Sequence, residues 1–92
     1  MLVRAVFLGP LGLKTGPDPV AFELPDGALY GALLAEIGRR FGAGFPKGVW
    51  DFQANVFKGA VLAVGVGRDL VDPETPLRDN EEIKFAPLLI GG

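Results

Sequence analysis

A single amphipathic segment limits the folds that this chain of 92 residues can adopt. Apolar side chains recur at helical spacing over residues 29–41, which predicts one helix with one continuous apolar stripe. Arg39 and Arg40 lie in the last turn, where the helix dipole favours cations, and Gly42 is a good residue to end the helix. Such a stripe must pack on another layer. The stripe of the helix consists of Tyr30, Leu33, Leu34, Ile37 and Phe41.

Two short strands are expected before the helix. Apolar side chains alternate with others over residues 2–8 and 20–24, which is the period of a strand. Val3, Ala5 and Phe7 form the better core face of the first strand, because the opposite face carries an arginine that must reach water. Glycine- and proline-rich turns connect the two segments, so we expect an antiparallel hairpin.

Further strands are expected after the helix. Residues 60–66 have the character of a short buried strand, and residues 67–69 turn the chain away from it. Val71 is a candidate start for a brief edge strand. A turn-rich connection at residues 75–80 then leads to a last strand at residues 83–85, whose two apolar side chains should face inward.

Residues 42–59 are rich in aromatic side chains and too apolar for a free loop. We expect a short helix around residues 49–52. We also expect some of the aromatic side chains to close the lower edge of the core. The sequence alone assigns this segment no function.

The elements follow the order strand, strand, helix, strand, short strand, strand. One helix on one face of a small mixed sheet is the economical two-layer arrangement, with the first strand beside the last. This arrangement is the ubiquitin-like β-grasp, an α+β fold. We predict a mixed four- to five-stranded sheet with one main helix packed on one face. Residues 1–92 are expected to form one such domain with a flexible C-terminal Gly-Gly tail.

Composition excludes most catalytic chemistry and most metal sites. The chain has no cysteine and no histidine, which removes thiol nucleophiles, imidazole bases, disulfides and the usual zinc ligands. Serine is also missing, and the acidic residues between positions 69 and 82 do not have the spacing of a calcium loop. We therefore expect a protein that is not an enzyme and that binds no metal or cofactor itself.

Charge and hydropathy limit the partners and the compartment. The net charge of −2 argues against a nucleic-acid groove, whose affinity depends on neutralised phosphates. The apolar runs are much shorter than the ~20 residues of a spanning helix, and no signal-peptide pattern precedes the first strand. We expect a cytoplasmic protein with no membrane and no nucleic-acid partner.

The end of the sequence is the candidate functional segment. The last strand leads from Phe85 through Pro87 to Ile90 and then to Gly91 and Gly92. Two glycines before a carboxylate make a thin tip that could thread a narrow channel and present its terminal carbonyl to another enzyme. The alternative interpretation is a frayed terminus without a function.

The second face of the predicted sheet is the candidate partner surface. If the first and last strands pair, Arg4, Val6, Leu8, Lys84 and Ala86 share this face, and no second helix is available to cover it. A contiguous apolar patch beside the tail would mark a protein interface, whereas scattered exposed apolar residues are common.

With these residues in place, the chain resembles the MoaD/ThiS family of sulfur carriers over nearly its whole length. The family often has Gly where Asn80 stands, Thr where Leu29 stands and Asn where Val66 stands. Residues 42–59 have no clear counterpart in its shortest members. The matching segments are residues 3–7, 25–28, 33–34, 67–69, 77–83 and 85–87, together with the closing Gly91 and Gly92.

The resemblance implies a carrier. A ubiquitin-activating-type adenylating enzyme would use ATP to adenylate Gly92, and a persulfide sulfur would displace AMP to leave a C-terminal thiocarboxylate. A sulfur-accepting synthase subunit, MoaE-like or thiazole synthase-like, would then consume the sulfur. The length and the aromatic insert favour a MoaD-type carrier for molybdopterin synthesis. The implied site residues are Gly92 and Gly91 for adenylation and thiocarboxylate formation, and Arg4, Val6, Leu8, Lys84, Ala86, Pro87, Leu88, Leu89 and Ile90 for partner binding.

Three alternatives stay open at this point. The chain could be a ThiS-type carrier for thiamine synthesis, or a ubiquitin-like modifier joined to lysines through Gly92. It could also be a non-covalent interaction module similar to the β-grasp proteins of phage tail assembly. A thiocarboxylate on the cellular protein would support a carrier, an isopeptide would support the modifier, and neither would support the interaction module.

Overall fold

The computed structural model describes residues 1–13, 15–59 and 61–88. Two 3-10 turns, Gly9–Gly12 and Gly42–Gly44, accompany the regular elements of these residues. In chain order the regular elements are β1 (Leu2–Phe7), β2 (Val20–Glu23), α1 (Tyr30–Phe41), β3 (Trp50–Asp51), β4 (Val56–Phe57), β5 (Val61–Gly65), β6 (Arg68–Asp69) and β7 (Glu81–Pro87).

Five of these strands form one mixed sheet in the order β2-β1-β7-β5-β6. β1 pairs antiparallel with β2, as the turn-rich connection predicted, with Val3 opposite Phe22. β1 also pairs in parallel with β7, so the first and last strands are neighbours at the centre of the sheet. β5 is antiparallel to β7 and continues into the short edge strand β6. The expected mixed sheet is confirmed.

The core lies between α1 and one face of this sheet. Leu33 and Ile37 of α1 are fully buried, as is Ile83 of β7. The ring of Phe7 stacks on that of Phe85 with 5.4 Å between centroids. The predicted stripe of α1 is therefore confirmed as the core face. Its last member, Phe41, is only partly buried and packs edge-on against Phe7 and Phe22.

The backbone N–H groups in the first turn of α1 find hydrogen-bond acceptors on the backbone of another segment rather than on a capping side chain. The N–H groups of Tyr30 and Gly31 donate to the C=O groups of Thr75 and Pro73, each at 2.8 Å. These two bonds take up donors that would otherwise have no partner within the helix. The connection between β6 and β7 is thereby tied to the start of α1.

The expected helix around residues 49–52 is wrong, because this segment forms a hairpin of β3 and β4. Trp50 lies opposite Phe57, and the carboxylate of Asp51 accepts hydrogen bonds from the N–H groups of Gln53 and Ala54 at 2.9 and 3.1 Å. These bonds lower the pKa of Asp51 and hold a turn that a helix would not make. The expectation that aromatic residues here close the core is confirmed, since Phe45 and Trp50 are buried and Phe57 packs against the core.

The indole of Trp50 fits against the end of α1, where glycines leave room for it. A Cβ atom at Gly38 would lie 2.6 Å from Cζ2 of Trp50, and one at Gly42 would lie 3.0 Å from Cδ1 of the same ring. The hairpin is thus packed on a face of the helix that larger residues would fill.

The outer edge of the sheet also differs from the expectation. The chain turns at Val66 and Gly67, which has a φ of +74°, and residues 68–69 form β6 instead of the turn itself. Val71 does not start a strand and is 82% exposed. Gly67 adopts this positive φ without the steric cost that a side chain would bring, so the chain reverses at Val66 and Gly67 and the edge strand begins earlier than the apolar pattern indicated.

Candidate functional site

The predicted partner surface is assembled by the register of β1 and β7. Val6 lies opposite Lys84 and Arg4 opposite Glu82 across the parallel pair. Ala86 follows two residues after Lys84 and so shares its face. We call the surface that the sequence predicted the open face, and it consists of Arg4, Val6, Leu8, Lys84 and Ala86. The geometry confirms that Arg4, Val6, Lys84 and Ala86 share one face, and Leu8 follows directly after β1 with its N–H donating to the C=O of Phe85 at 2.9 Å.

The members of the open face differ in exposure. Val6 is only 7% exposed although it lies outside the core cluster, so it offers a partner little surface, and its role as a contact residue stays a prediction. It sits on a strand with neighbours on both sides, and it is shorter than Arg4 and Lys84 beside it. Leu8, by contrast, is 40% exposed, and Lys84 is exposed as well.

Sequence reasoning missed the contribution of β5 to the same face. Val64 lies opposite Lys84 and Leu62 opposite Ala86. A shallow depression of about 300 Å³ lies here, lined in part by Val64, Val66 and Lys84. The alternation of Leu62, Val64 and Val66 on one side of the strand was the available signal.

Charged side chains of both signs border this apolar surface. Arg4 and Lys84 lie on the open face with Glu82, and the register also places Glu23 beside Leu2 and Asp69 beside Val64 on this side of the sheet. The face therefore suits a partner that offers apolar contacts flanked by charges of both signs.

A buried ion pair positions the start of β7. Glu81 is 4% exposed, and its carboxylate accepts hydrogen bonds from Nε and Nη2 of Arg68 at 3.0 and 2.6 Å. It also accepts the N–H of Arg78 at 3.1 Å. Burial acts most strongly and would raise the pKa of Glu81, but these hydrogen bonds and the two arginine charges together outweigh burial and lower it.

Neighbouring backbone features fit this ion pair. A Cβ atom at Gly65 would lie 2.6 Å from Oε2 of Glu81, which explains a glycine inside β5. Asn80, where the resemblance suggests a glycine, has a φ of +64°. Asparagine tolerates this left-handed conformation better than most residues, so the departure at position 80 leaves the turn intact.

The candidate tail begins where β7 ends. Pro87 is the last residue of β7 and lies against the turn after β1, since a Cβ atom at Gly9 would be 3.7 Å from Cγ of Pro87. Leu88 follows and is 49% exposed. Leu89, Ile90, Gly91 and Gly92 lie outside the described residues, so their assignment as site residues stays a prediction.

The part of the chain that the structure describes was also compared with what metal sites and membrane-spanning helices require. Residues 1–13, 15–59 and 61–88 contain no group of three side chains suited to hold a metal ion. Within the same ranges, no helix has the length and apolar character that crossing a bilayer requires.

Solved structures of other small proteins resemble this one. SAMP1 from Haloferax volcanii aligns over 100% of both chains with a TM-score of 0.75 and 16% identity. A second Haloferax volcanii protein covers 100% of this chain and 87% of its own, with a TM-score of 0.74 and 19% identity. A Pyrococcus furiosus protein assigned as molybdopterin converting factor, subunit 1, aligns over 96% of this chain and 98% of its own, with a TM-score of 0.68 and 23% identity.

The chain has a ubiquitin-like β-grasp fold. The predicted fold class and the resemblance to MoaD/ThiS carriers are thereby confirmed at the level of the fold. A scan against protein-family profiles and a search of curated proteins both find no match.

Proposed function

We propose that this chain is a sulfur carrier of the MoaD type. In this proposal the carboxylate of Gly92 is adenylated and converted to a thiocarboxylate, and Gly91 gives the tip the slender shape that an enzyme channel requires. The β-grasp fold, shared with a protein assigned as a molybdopterin converting factor subunit, supports the proposal. So does the Gly-Gly pair that follows the last strand in the sequence.

The observation that carries the proposal is the placement of β7. This strand is held at the centre of the sheet by β1 and β5 and leaves it at Pro87. Five residues follow, and an extended segment of that length reaches at most about 17 Å. The carboxylate can therefore be presented to a partner enzyme while the folded domain rests outside the catalytic pocket.

The chemistry needs no nucleophile on the carrier itself. An ATP-dependent activating enzyme joins the carboxylate oxygen of Gly92 to the α-phosphate of ATP, and pyrophosphate leaves. A persulfide sulfur then attacks the acyl carbon and AMP leaves, after which a thiol must cleave the resulting disulfide to release the thiocarboxylate. The absence of cysteine from the chain suits this route, because no internal thiol can attack the activated carbonyl.

Two partners follow from this proposal. The first is a ubiquitin-activating-type adenylating enzyme, and the second is a synthase subunit that accepts the sulfur, MoaE-like or, in a ThiS-type pathway, thiazole synthase-like. ATP is the cosubstrate of the activating enzyme rather than a ligand of this chain. We assign the open face, with Pro87 and Leu88, as the surface that both partners contact, and the cytoplasm as the compartment.

Intact-mass analysis of the protein purified from its own host tests the proposal. The expected result is a fraction heavier by the exchange of one oxygen for one sulfur, located at Gly92 by C-terminal fragmentation. A Gly92→Ala variant and a variant with one residue appended after Gly92 should show no such fraction, because the added atoms misplace the carboxylate by about 3.3–3.6 Å or obstruct the channel.

Other outcomes would replace the proposal. Isopeptide links between Gly92 and lysines of other proteins, without thiocarboxylate, would support a protein modifier. If the appended variant still complements its pathway without being trimmed, the tip is not the reacting group. The non-covalent interaction module would then be the better interpretation.

A further inference from the structure

The aromatic segment that follows α1 encloses a pocket at the end of that helix. The pocket has a volume of about 300 Å³, whereas a cavity of about 150 Å³ already holds benzene. A concave, mostly apolar site with a few polar groups is the usual form of a small-molecule site. We call this one the Trp50 pocket. Its apolar wall consists of Ala43, Phe45, Pro46, Trp50 and Phe52.

One residue of the wall carries a hydrogen-bond donor without a partner. Trp50 is only 4% exposed, and its buried Nε1 forms no hydrogen bond with residues 1–13, 15–59 or 61–88. Indole Nε1–H can donate but cannot accept, and buried indole N–H groups usually have a partner. A buried donor without an acceptor is unfavourable, so an acceptor supplied by a ligand would be bound with advantage.

Nε1 of Trp50 lies where α1 ends and the pocket begins. A Cβ atom at Gly42, which also lines the pocket, would lie 3.2 Å from Nε1 and 3.0 Å from Cε1 of Phe52. The φ of Gly42 is −53°, which any residue adopts, so the glycine provides space here rather than backbone freedom. The indole nitrogen and the ring of Phe52 therefore border the same space above the Cα atom of Gly42.

Phe52 is the part of this arrangement that can move. It is 64% exposed, and exposed side chains change rotamer within picoseconds to nanoseconds. Trp50 is held by Phe45 and Phe57, whose ring centroids lie 5.9 and 4.9 Å from its own. A rotation of the Phe52 ring away from Gly42 therefore opens a way to a donor that stays in place.

A positive charge at the rim indicates what kind of acceptor fits. Of the described residues that line the pocket, Lys47 alone carries a charge. Lys47 is exposed and forms no ion pair within the described ranges. The nearest acidic residue in the sequence is Asp51, whose carboxylate is engaged by two backbone N–H groups of its own turn. Arg40 in the last turn of α1 offsets the negative end of the helix dipole. A donor beside a cation favours a carboxylate.

We propose that the Trp50 pocket binds a small organic acid, that is, a carboxylate carried on an apolar group. One carboxylate oxygen accepts the Nε1–H of Trp50, and the ammonium group of Lys47 attracts the carboxylate from the rim. The apolar group packs against Phe45 and Phe52. Because α1 covers the side of the sheet opposite the open face, this ligand binds independently of the tail chemistry.

Titration of the full ¹⁵N-labelled chain with cyclohexanecarboxylate tests this inference. Trp50 is the only tryptophan of the chain, so a single indole N–H signal reports on the proposed donor. The ligand has no aromatic ring current, and the new hydrogen bond should move this signal downfield in a saturable manner. The amide signals of Arg4 and Lys84 should not change. Cyclohexanecarboxamide has the same ring and a neutral acceptor, and it should bind roughly tenfold more weakly.

Two exposed lysines provide the matched control. Lys47→Gln should weaken binding of the carboxylate roughly tenfold and leave binding of the carboxamide unchanged. Lys58 does not line the pocket, so Lys58→Gln should change neither. Trp50→Phe removes the donor and should weaken binding of both ligands, followed through the amide signals of Lys47 and Gly48. The inference is overturned if the carboxylate leaves the indole signal in place at millimolar concentration, if the two ligands bind equally, or if the two lysine variants behave alike.

Discussion

Gly38→Ala should destabilise this protein, although the same change stabilises most helices. In a helix interior, alanine is favoured over glycine by about 1 kcal/mol. Here the new Cβ atom would lie 2.6 Å from Cζ2 and 2.9 Å from both Cε2 and Nε1 of Trp50. Forcing an extra carbon into a packed interior costs about 1–3 kcal/mol. The net result should be a loss of about 1 kcal/mol in the free energy of unfolding.

A double-mutant cycle with Trp50→Phe isolates the reason. The phenylalanine side chain has neither Nε1 nor the second ring of tryptophan, which carries Cζ2. Gly38→Ala should therefore stabilise the protein by about 1 kcal/mol in this background. The coupling free energy between the two positions should then be about 2 kcal/mol. Denaturant unfolding of the four proteins measures it, with Ala35→Gly at an exposed position of α1 as the control for helix propensity. If Gly38→Ala stabilises the wild-type protein, Trp50 does not pack against α1 and the argument fails.

Three further predictions concern the core, the open face and the buried ion pair. Leu33→Ala, at a fully buried position, should cost about 2–5 kcal/mol in denaturant unfolding; an unchanged midpoint would contradict its place in the core. Leu8→Asp should keep the fold and weaken adenylation by the activating enzyme, whereas Leu13→Asp, at 76% exposure, should change neither; unfolding of Leu8→Asp would contradict its exposed position. The pKa of Glu81 is lowered in the folded protein, so its ionised carboxylate stabilises the fold at pH values above the glutamate pKa of the unfolded chain, which is about 4.3. This stability is lost as the pH falls through the pKa of Glu81 in the folded protein. Glu81→Gln should flatten that acid dependence and Glu82→Gln should not, as unfolding curves across this pH range will show.

The parts of the fold that the sequence predicted are those determined by local periodicity. The stripe of α1 and the alternation of β1 need only a neighbouring apolar layer to form, and both are confirmed. The hairpin that pairs Trp50 with Phe57 was missed because the packing of the Trp50 indole needs the space left by Gly38. Gly38 lies twelve residues earlier in the sequence. Such a fit between distant positions has no local signature.

The candidate site divides in the same way. The pairing of β1 with β7 could be predicted from the sequence, and therefore so could the placement of Arg4 and Lys84 on one face. The burial of Val6 could not be predicted, because it depends on the lengths of the side chains around it. The early start of β6 was missed as well, since Arg68 is held there by Glu81 across the sheet rather than by its sequence neighbours.

The parallel pair at the centre of the sheet has a consequence for the order of folding. β1 is made first during synthesis, but one of its two partners, β7, is made last. Until β7 arrives, β1 and β5 each lack a central neighbour, and the positions that Ile83 and Phe85 fill in the core stay empty. Contacts between such distant segments form late and slowly compared with local ones. The domain therefore becomes stable only when its final strand is in place, so a chain cut short before β7 should be degraded rather than accumulate as a folded domain without its last strand.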